Sequence, residues 1–359
     1  MELLSVTMND GVKPRSEIEG KDNSSEDKSN YKIVRKGDMV YNSMRMWQGA
    51  NGISPCDGIV SPAYTVLMPK QEINNGYFAA LFKSANLINE FRKNSQGMTS
   101  DTWNLKYPQI ETIKIQIPSV SEQDKVSELF GVLDARIVAQ TQLVESLKKY
   151  KRGLSNAVFS TNSELFPKST VASLGELFPF IRNGFVGTVT PFFTSQENGV
   201  RYLQGTNIHD GKISDETAFY VTQAFNQKHS KNILKSNDIL VVQSGHVGEC
   251  AVVGDNYAGS NCHALIIMSN GGECASDYIC QYINSDDGKK KIAAITTGNT
   301  IKHILATSIA NIEVPLPSKK DQQRIAELLN SWDNRIEQEI RNLCKLVRIK
   351  EGLLQQLFI

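Results

Sequence analysis

Residues 316–359 read LPSKKDQQRIAELLNSWDNRIEQEIRNLCKLVRIKEGLLQQLFI, and residues 117–160 read IPSVSEQDKVSELFGVLDARIVAQTQLVESLKKYKRGLSNAVFS. Overlaid at a constant offset of 199, without a gap, the two segments are identical at 13 of 44 positions. Average composition gives about two or three identities by chance. The shared residues include Pro118/Pro317, Gln123/Gln322, Glu128/Glu327, Asp134/Asp333, Arg136/Arg335, Ile137/Ile336, Gly153/Gly352 and Phe159/Phe358. A period of this length declares a duplicated chain.

Fainter matches extend the repeat upstream. Lys36-Gly37-Asp38-Met39-Val40 aligns with Ser236-Asn237-Asp238-Ile239-Leu240, Gln96-Gly97 with Thr297-Gly298, and Asp10-Gly11 with Asp210-Gly211. The order is globular unit, helix, globular unit, helix. Sequence is retained in the helices and diverges in the units, as expected of two modules doing one kind of job on different targets.

Each repeated segment opens on Pro-Ser and an acid- or amide-rich turn, a helix start, and then follows a heptad. In the first segment the core set is Val126, Phe130, Leu133, Ile137, Gln140, Val144, Leu147, Lys151, Leu154 and Val158. In the second it is Ile325, Leu329, Trp332, Ile336, Glu339, Leu343, Leu346, Lys350, Leu353 and Leu357. A helix of about 38 residues is about 55–60 Å long. Stripes of this length need a partner, and the simplest is each other, antiparallel, with the globular units at opposite ends of a ruler. Gln140 and Glu339 interrupt the seam at the same place, where a polar residue either fixes register or sits at a solvated edge. Gly153 and Gly352 mark expected breaks or kinks.

The expected boundaries are 1–117 for the first unit, 118–160 for its helix, 161–316 for the second unit and 317–359 for its helix. The first unit shows strand-like runs at Asp38–Tyr41 and Ala63–Met68 and a helical stretch from Tyr77 to about Lys93. The second shows strands at Ile239–Gln243, Ala251–Val253 and Ala264–Met268 and a helix from about Ala275 to Ala294. Without clean βαβ alternation, the class is α+β.

Composition narrows the function. The chain has 359 residues, enough for two or three domains. Lys plus Arg is 39 against 38 Asp plus Glu, so polycationic coats and acidic disordered chains are excluded. Nucleic-acid affinity must then come from local patches. No run of about 18 apolar residues exists for a membrane span, and the N-terminus carries no secretory signal. Six cysteines without CxxC spacing point to a reducing cytoplasm. Cys250, Cys262 and His263 can be written as a zinc set, but adjacent ligands bind awkwardly and no second pair exists, so no metal is expected.

No phosphate loop, GxGxxG, HExxH or GxSxG motif is present, and the five histidines are scattered. Asp10 with Glu26-Asp27-Lys28 loosely mimics an acidic nuclease motif, but it lies in a polar loop with no strand to hold carboxylates around a metal. The chain alone reads as non-catalytic.

Binding features are stronger. Ser43, Arg45, Trp47 and Gln48 follow a strand, and Gln243, Ser244 and His246 follow its counterpart. Arg suits guanine edges, and Asn or Gln suits adenine edges. A second loop pair carries Gln96, Thr99 and neighbours in one unit and Thr297, Asn299, Thr300 and Lys302 in the other. Glycine beside hydroxyl and amide donors suits approach to a phosphate backbone, and Lys289-Lys290-Lys291 can neutralise phosphates. Each residue alone is as well explained by a solvated surface; recurrence at matching places is the argument.

Together, the Pro-x-x-x-x-Gln helix starts, the duplication and the Asp-(Met/Ile)-(Val/Leu) strand before each loop resemble the DNA specificity subunit of type I restriction–modification systems. The resemblance covers nearly the whole chain. It implies two target-recognition domains, each reading half of a split double-stranded DNA site, joined by two long antiparallel helices in a pseudo-two-fold repeat. It implies two methyltransferase (modification) subunits seated on the helices, and motor–nuclease restriction subunits in the restriction form. S-adenosylmethionine, ATP and Mg would belong to those partners, with no cofactor on this chain and a cytoplasmic, prokaryotic setting. Arg182-Asn183 and Thr206-Asn207 fall among the recognition residues of a complete second domain. The first unit has no counterpart of VASLGELFPFIRNGFVGTVTPFFTSQENG, so it reads as N-terminally truncated. That leaves an alternative: a silent-cassette adaptor that binds modification subunits without fully reading DNA.

Overall fold

A computed structural model of the chain describes every residue except Asn9, Asn23, Asp101, residues 161–168 and 299–301, and Ile359. It divides into two compact units, Met1–Leu143 with Glu339–Ile359, and Val144–Gln338. Both mix helix and strand.

The two repeated segments form helices Val120–Phe159 and Lys319–Leu357. Their Pro-Ser starts act as read. The Ser119 hydroxyl and amide both donate to the Glu122 carboxylate, at 2.7 and 3.0 Å, and the Ser318 hydroxyl donates to Asp321 at 2.6 Å. Acid in the first turn also complements the helix dipole. The expected break at Gly153 and Gly352 does not occur: both helices run through unbroken. The residues beyond each glycine are anchored, Val158 and Phe159 in one core and Leu353 and Phe358 against the other, so continued packing offsets the roughly 1 kcal/mol that a helical glycine costs.

Every heptad core position of the first helix is at least half-buried, and in the second only Leu357 is exposed. Within the first unit Phe130 stacks on Phe358, centroids 5.9 Å apart, Asp134 pairs with Lys350, and the Gln140 amide donates to the Glu339 carbonyl and carboxylate at 3.0 and 2.8 Å. Residue numbers rise on one helix as they fall on the other, so the segments are antiparallel. Within the second unit Lys151 pairs with Asp333 at 2.6 Å, and Tyr150 lies 4.7 Å from Trp332. Lys151/Lys350 and Asp134/Asp333 are repeat equivalents. The same cross-helix ion pair is therefore made once in each unit. Gln140 and Glu339, the polar interruptions of the two stripes, bond to each other.

In the first unit the strands Asn51–Ile53, Met39–Asn42 and Tyr64–Leu67 make a three-stranded antiparallel sheet. A second sheet orders Val12–Pro14, Glu2–Val6, Gly58–Val60 and Lys32–Val34. The second unit's counterpart of the three-stranded sheet has four strands: Cys250–Val252, Ile239–Val242, Leu265–Ser269 and Phe180–Asn183. Ile239–Val242 is fully buried on both faces, which its unbroken apolar run anticipates. The fourth strand comes from the segment without a counterpart in the first unit. The same segment supplies Thr170–Ser173 to pair with Glu313–Leu316, whereas the equivalent residues 114–117 are in no strand.

The two long helical stretches expected inside the units are each two helices. They run Asn75–Leu81 then Ala85–Asn94, and Ser276–Ile283 then Asp286–Ile295. A serine restarts each one: Ser84 accepts from the Leu87 amide and Ser285 from that of Gly288. Apolar periodicity runs through both breaks because both halves face the same core.

Candidate nucleic-acid interface

Strand Met39–Asn42 delivers the first loop. The Asn42 carboxamide oxygen accepts the Met44 amide at 3.0 Å, Met46 is fully buried as an anchor, and Gly49 closes the turn at φ +83°. Between these fixed points Met44 and Arg45 are exposed and Trp47 is half-buried. The second loop is held beside the first by the Leu105 amide, which donates to the Ser43 carbonyl at 2.8 Å. Its neck is the Gln96–Asn104 bridge, bonded in both directions at 3.0 and 2.8 Å. Gly97 sits at φ +151°, and a Cβ there would lie 2.6 Å from the Thr102 carbonyl, so only glycine fits.

The second unit repeats this construction. The Ile304 amide donates to the Gln243 carbonyl at 3.1 Å, and Thr297 and His303 exchange backbone bonds at 2.9 Å. Ser244 bridges to His303 as well. The two loops that the sequence pairs in each unit are thus spatial neighbours in each unit. In the second they edge a groove of about 470 Å³ lined by Gly245, His246, Lys289, Thr296, Gly298 and Lys302.

The candidate residues divide by what their side chains do. Arg45, Gln96, Thr99, Asn183, Thr206, Ser244 and Lys302 are exposed; Gln48 and Gln243 are half-buried. Thr297 points to the His303 ring at 3.1 Å. Three others are engaged inside the fold. Ser43 is buried against Thr65, and Arg182 donates to the Lys231 carbonyl and the Ser269 hydroxyl, both at 2.7 Å. Asn207 is buried and staples its loop by donating to the Ser214 and Thr217 carbonyls. Asn299 and Thr300 lie outside the described residues. In the lysine run, Lys291 turns back to Asp287 and the Glu313 carbonyl, while Lys289 lines the groove.

Trp103, not singled out in the sequence, packs edge-on to Trp47 at 5.2 Å, with the Arg92 guanidinium 5.8 Å from the same indole. A tryptophan in each of two neighbouring loops was the available signal. Asp10 and Glu26 belong to no metal-sized cluster among the described residues, nor do Cys250, Cys262 and His263. Cys262 is buried, which pushes its thiol up to about 12, and Cys250 lies against Cys280 with sulfurs 3.3 Å apart. Burial raises the thiol pKa of Cys262 and of Cys250 and keeps those two neutral.

The fold and its loops define a duplicated α+β binding module in which each unit presents a paired-loop edge and carries part of both long helices. The chain belongs to the family described as type I restriction modification DNA specificity domain, whose model matches residues 5–149 and 165–345. It is 25% identical over 342 residues to the type I restriction enzyme MjaVIII specificity subunit of Methanocaldococcus jannaschii, covering 90% of this chain and 79% of that one. It is 23% identical over 324 residues to the StySPI specificity subunit of Salmonella potsdam, covering 81% of this chain and 66% of that one. Among solved structures, a chain from a type I R-M system study has TM-score 0.60 at 16% identity, covering 92% of this chain and 83% of that chain. The S subunit of the type I restriction-modification system from M. genitalium has TM-score 0.59 at 16% identity, covering 91% and 84%. These structures share the fold. No helix is long and apolar enough to cross a membrane among the described residues.

Proposed function

We propose that this chain is the non-catalytic, DNA-reading subunit of a type I restriction–modification assembly, and that each unit's paired loops contact one half of a split double-stranded target. The helices set the spacer and seat two methyltransferase subunits, which hold S-adenosylmethionine. Motor–nuclease subunits with ATP and Mg complete the restriction form, and the setting is cytoplasmic. The observation that carries this reading is the recurrence of one loop pair, with one set of backbone contacts, at equivalent places in two diverged units. Tethering two half-site contacts raises the effective concentration of each.

The test is to map methylated bases in the genome of a host that expresses this chain with its modification subunit. A two-part methylated motif with a fixed gap is expected. A contiguous motif, or modification that depends on only the second unit's half, overturns the two-half reading in favour of an adaptor with reduced DNA contact.

A further inference from the structure

We propose that His209, His246 and Glu249 form a divalent-metal site, best suited to zinc, that clamps the groove-lining loop of the second unit. His209 ends the short strand Ile208–His209, and His246 and Glu249 lie on the loop between strands Ile239–Val242 and Cys250–Val252. One potential ligand atom from each residue lies within 4.8 Å of the other two. The imidazoles are stacked at 5.0 Å with planes 17° apart.

The hydrogen bonds orient these rings as ligands. Nε2 of His209 meets the Thr206 carbonyl at 2.9 Å, and Nε2 of His246 meets the Ile208 carbonyl at 3.2 Å. A carbonyl only accepts, so each neutral ring carries its proton on Nε2 and keeps a lone pair on Nδ1. Backbone bonds of this kind fix the tautomer of metal-binding histidines. Nδ1 of His209 is 3.7 Å from Oε2 of Glu249, and that oxygen is shut off from solvent with no hydrogen bond. The Nδ1 lone pair of His209 thus faces a buried carboxylate oxygen that no donor reaches, and His246 brings a ring nitrogen into the same cluster. The Glu249 oxygen is an unpaired acceptor that is costly to bury; a cation held with the two imidazoles satisfies it.

Two imidazoles and one carboxylate suit zinc, with water as fourth ligand; calcium and magnesium prefer all-oxygen sets. Bonds of about 2.0–2.1 Å require the ligand atoms to draw closer than in this structure, which side-chain rotation supplies. The ion would join the turn at His209 to a loop whose glycines, Gly245 and Gly248, both sit at positive φ. The proposal does not depend on whether the groove reads DNA.

The test is a titration of the full chain with zinc alone, followed by calorimetry, and with cobalt, followed by visible absorption. A Cys344→Ser background removes the exposed thiol. One equivalent is expected, with a tetrahedral cobalt spectrum that lacks thiolate charge transfer. His209→Gln changes an exposed residue, so folding should persist by circular dichroism while affinity falls about tenfold or more; Glu249→Gln should weaken binding likewise. No saturable binding, a thiolate band, or binding unchanged in both variants overturns the proposal.

Discussion

The Gln322 carboxamide oxygen accepts the backbone amide of Ala275 at 2.9 Å, while its nitrogen donates to the Pro317 carbonyl at 2.9 Å. Gln123 does the same in the first unit, with the amide of Asn74 and the carbonyl of Pro118, both at 2.9 Å. Ala275 and Asn74 are the N-caps of helices Ser276–Ile283 and Asn75–Leu81. Both glutamines are almost fully buried. Each therefore fastens the start of a long helix to the start of a helix in the globular part of its own unit. Gln322→Ala strands one buried donor and one buried acceptor, each costing about 1–3 kcal/mol. The urea midpoint should fall with the slope unchanged, and Gln123→Ala should act in the same direction.

The repeated ion pair predicts unequal costs. Asp333 receives Lys151 on one oxygen at 2.6 Å and the Gln281 amide on the other at 2.7 Å, and both charged side chains are about four-fifths covered. Asp134, facing Lys350, is half exposed. Asp333→Ala should cost about 1–3 kcal/mol, since Lys151 loses its acceptor and Gln281 keeps only Asn330. Asp134→Ala should cost about 0–1 kcal/mol, because solvent screens it. Denaturant melts of the two variants check the order; equal costs would refute the argument from burial.

What the sequence made legible is what repeats. Phe130, Leu147, Ile325 and Leu329 were readable as seam because the heptad places them, and the loop pairs because an alignment places Gln96 opposite Thr297. What stayed hidden depends on contacts between distant positions. The matching Gln123 and Gln322 were visible as an identity, but not as clamps, since Asn74 and Ala275 lie far away along the chain. Arg182 and Asn207 have the chemistry of base readers, and only the fold shows their donors bonded to nearby carbonyls and a hydroxyl. His209 and His246 looked scattered because a turn and a strand had to bring them together. The serine restarts at Ser84 and Ser285 were overridden by apolar periodicity that continues across them.

Gly248 supports the groove by close approach. It sits at φ +92°, and a Cβ would lie 2.4 Å from a methyl of Ile292, which packs in the second unit's core. Gly248→Ala is expected to cost about 1–3 kcal/mol in backbone strain and to displace the loop carrying His246. Binding to the second half-site should weaken, while binding to the first is unchanged. Gel shifts with each half-site scrambled in turn would separate the two.

Arg45 and Lys302 should fail in different ways. Lys302 is a flexible point charge at the groove, suited to phosphate; Arg45 is an exposed fork on a loop with fixed ends. Lys302→Ala should lower affinity for all sequences alike and reduce the slope of log K against log salt by about 1. Arg45→Ala should relax preference at one position of the first half-site, worth about 1–3 kcal/mol there. A salt series on matched and mismatched duplexes reads both effects, and an identical change in the two variants would contradict the assignment.

His263 sets a pH dependence. It is half-buried between strands, with Nδ1 3.4 Å from the Tyr202 hydroxyl, and burial lowers its pKa below the usual 6.5. The unfolded chain therefore binds this proton more readily than the folded one, so stability rises with pH. The stabilisation is complete above 6.5 and drains away as pH falls through the unfolded value towards the lower folded one. Urea midpoints measured from pH 7.5 down to 5 should drop, and His263→Gln, which does not titrate, should flatten that part of the fall. If the variant's midpoint follows pH as steeply as the parent's, the acid sensitivity of the second unit arises elsewhere.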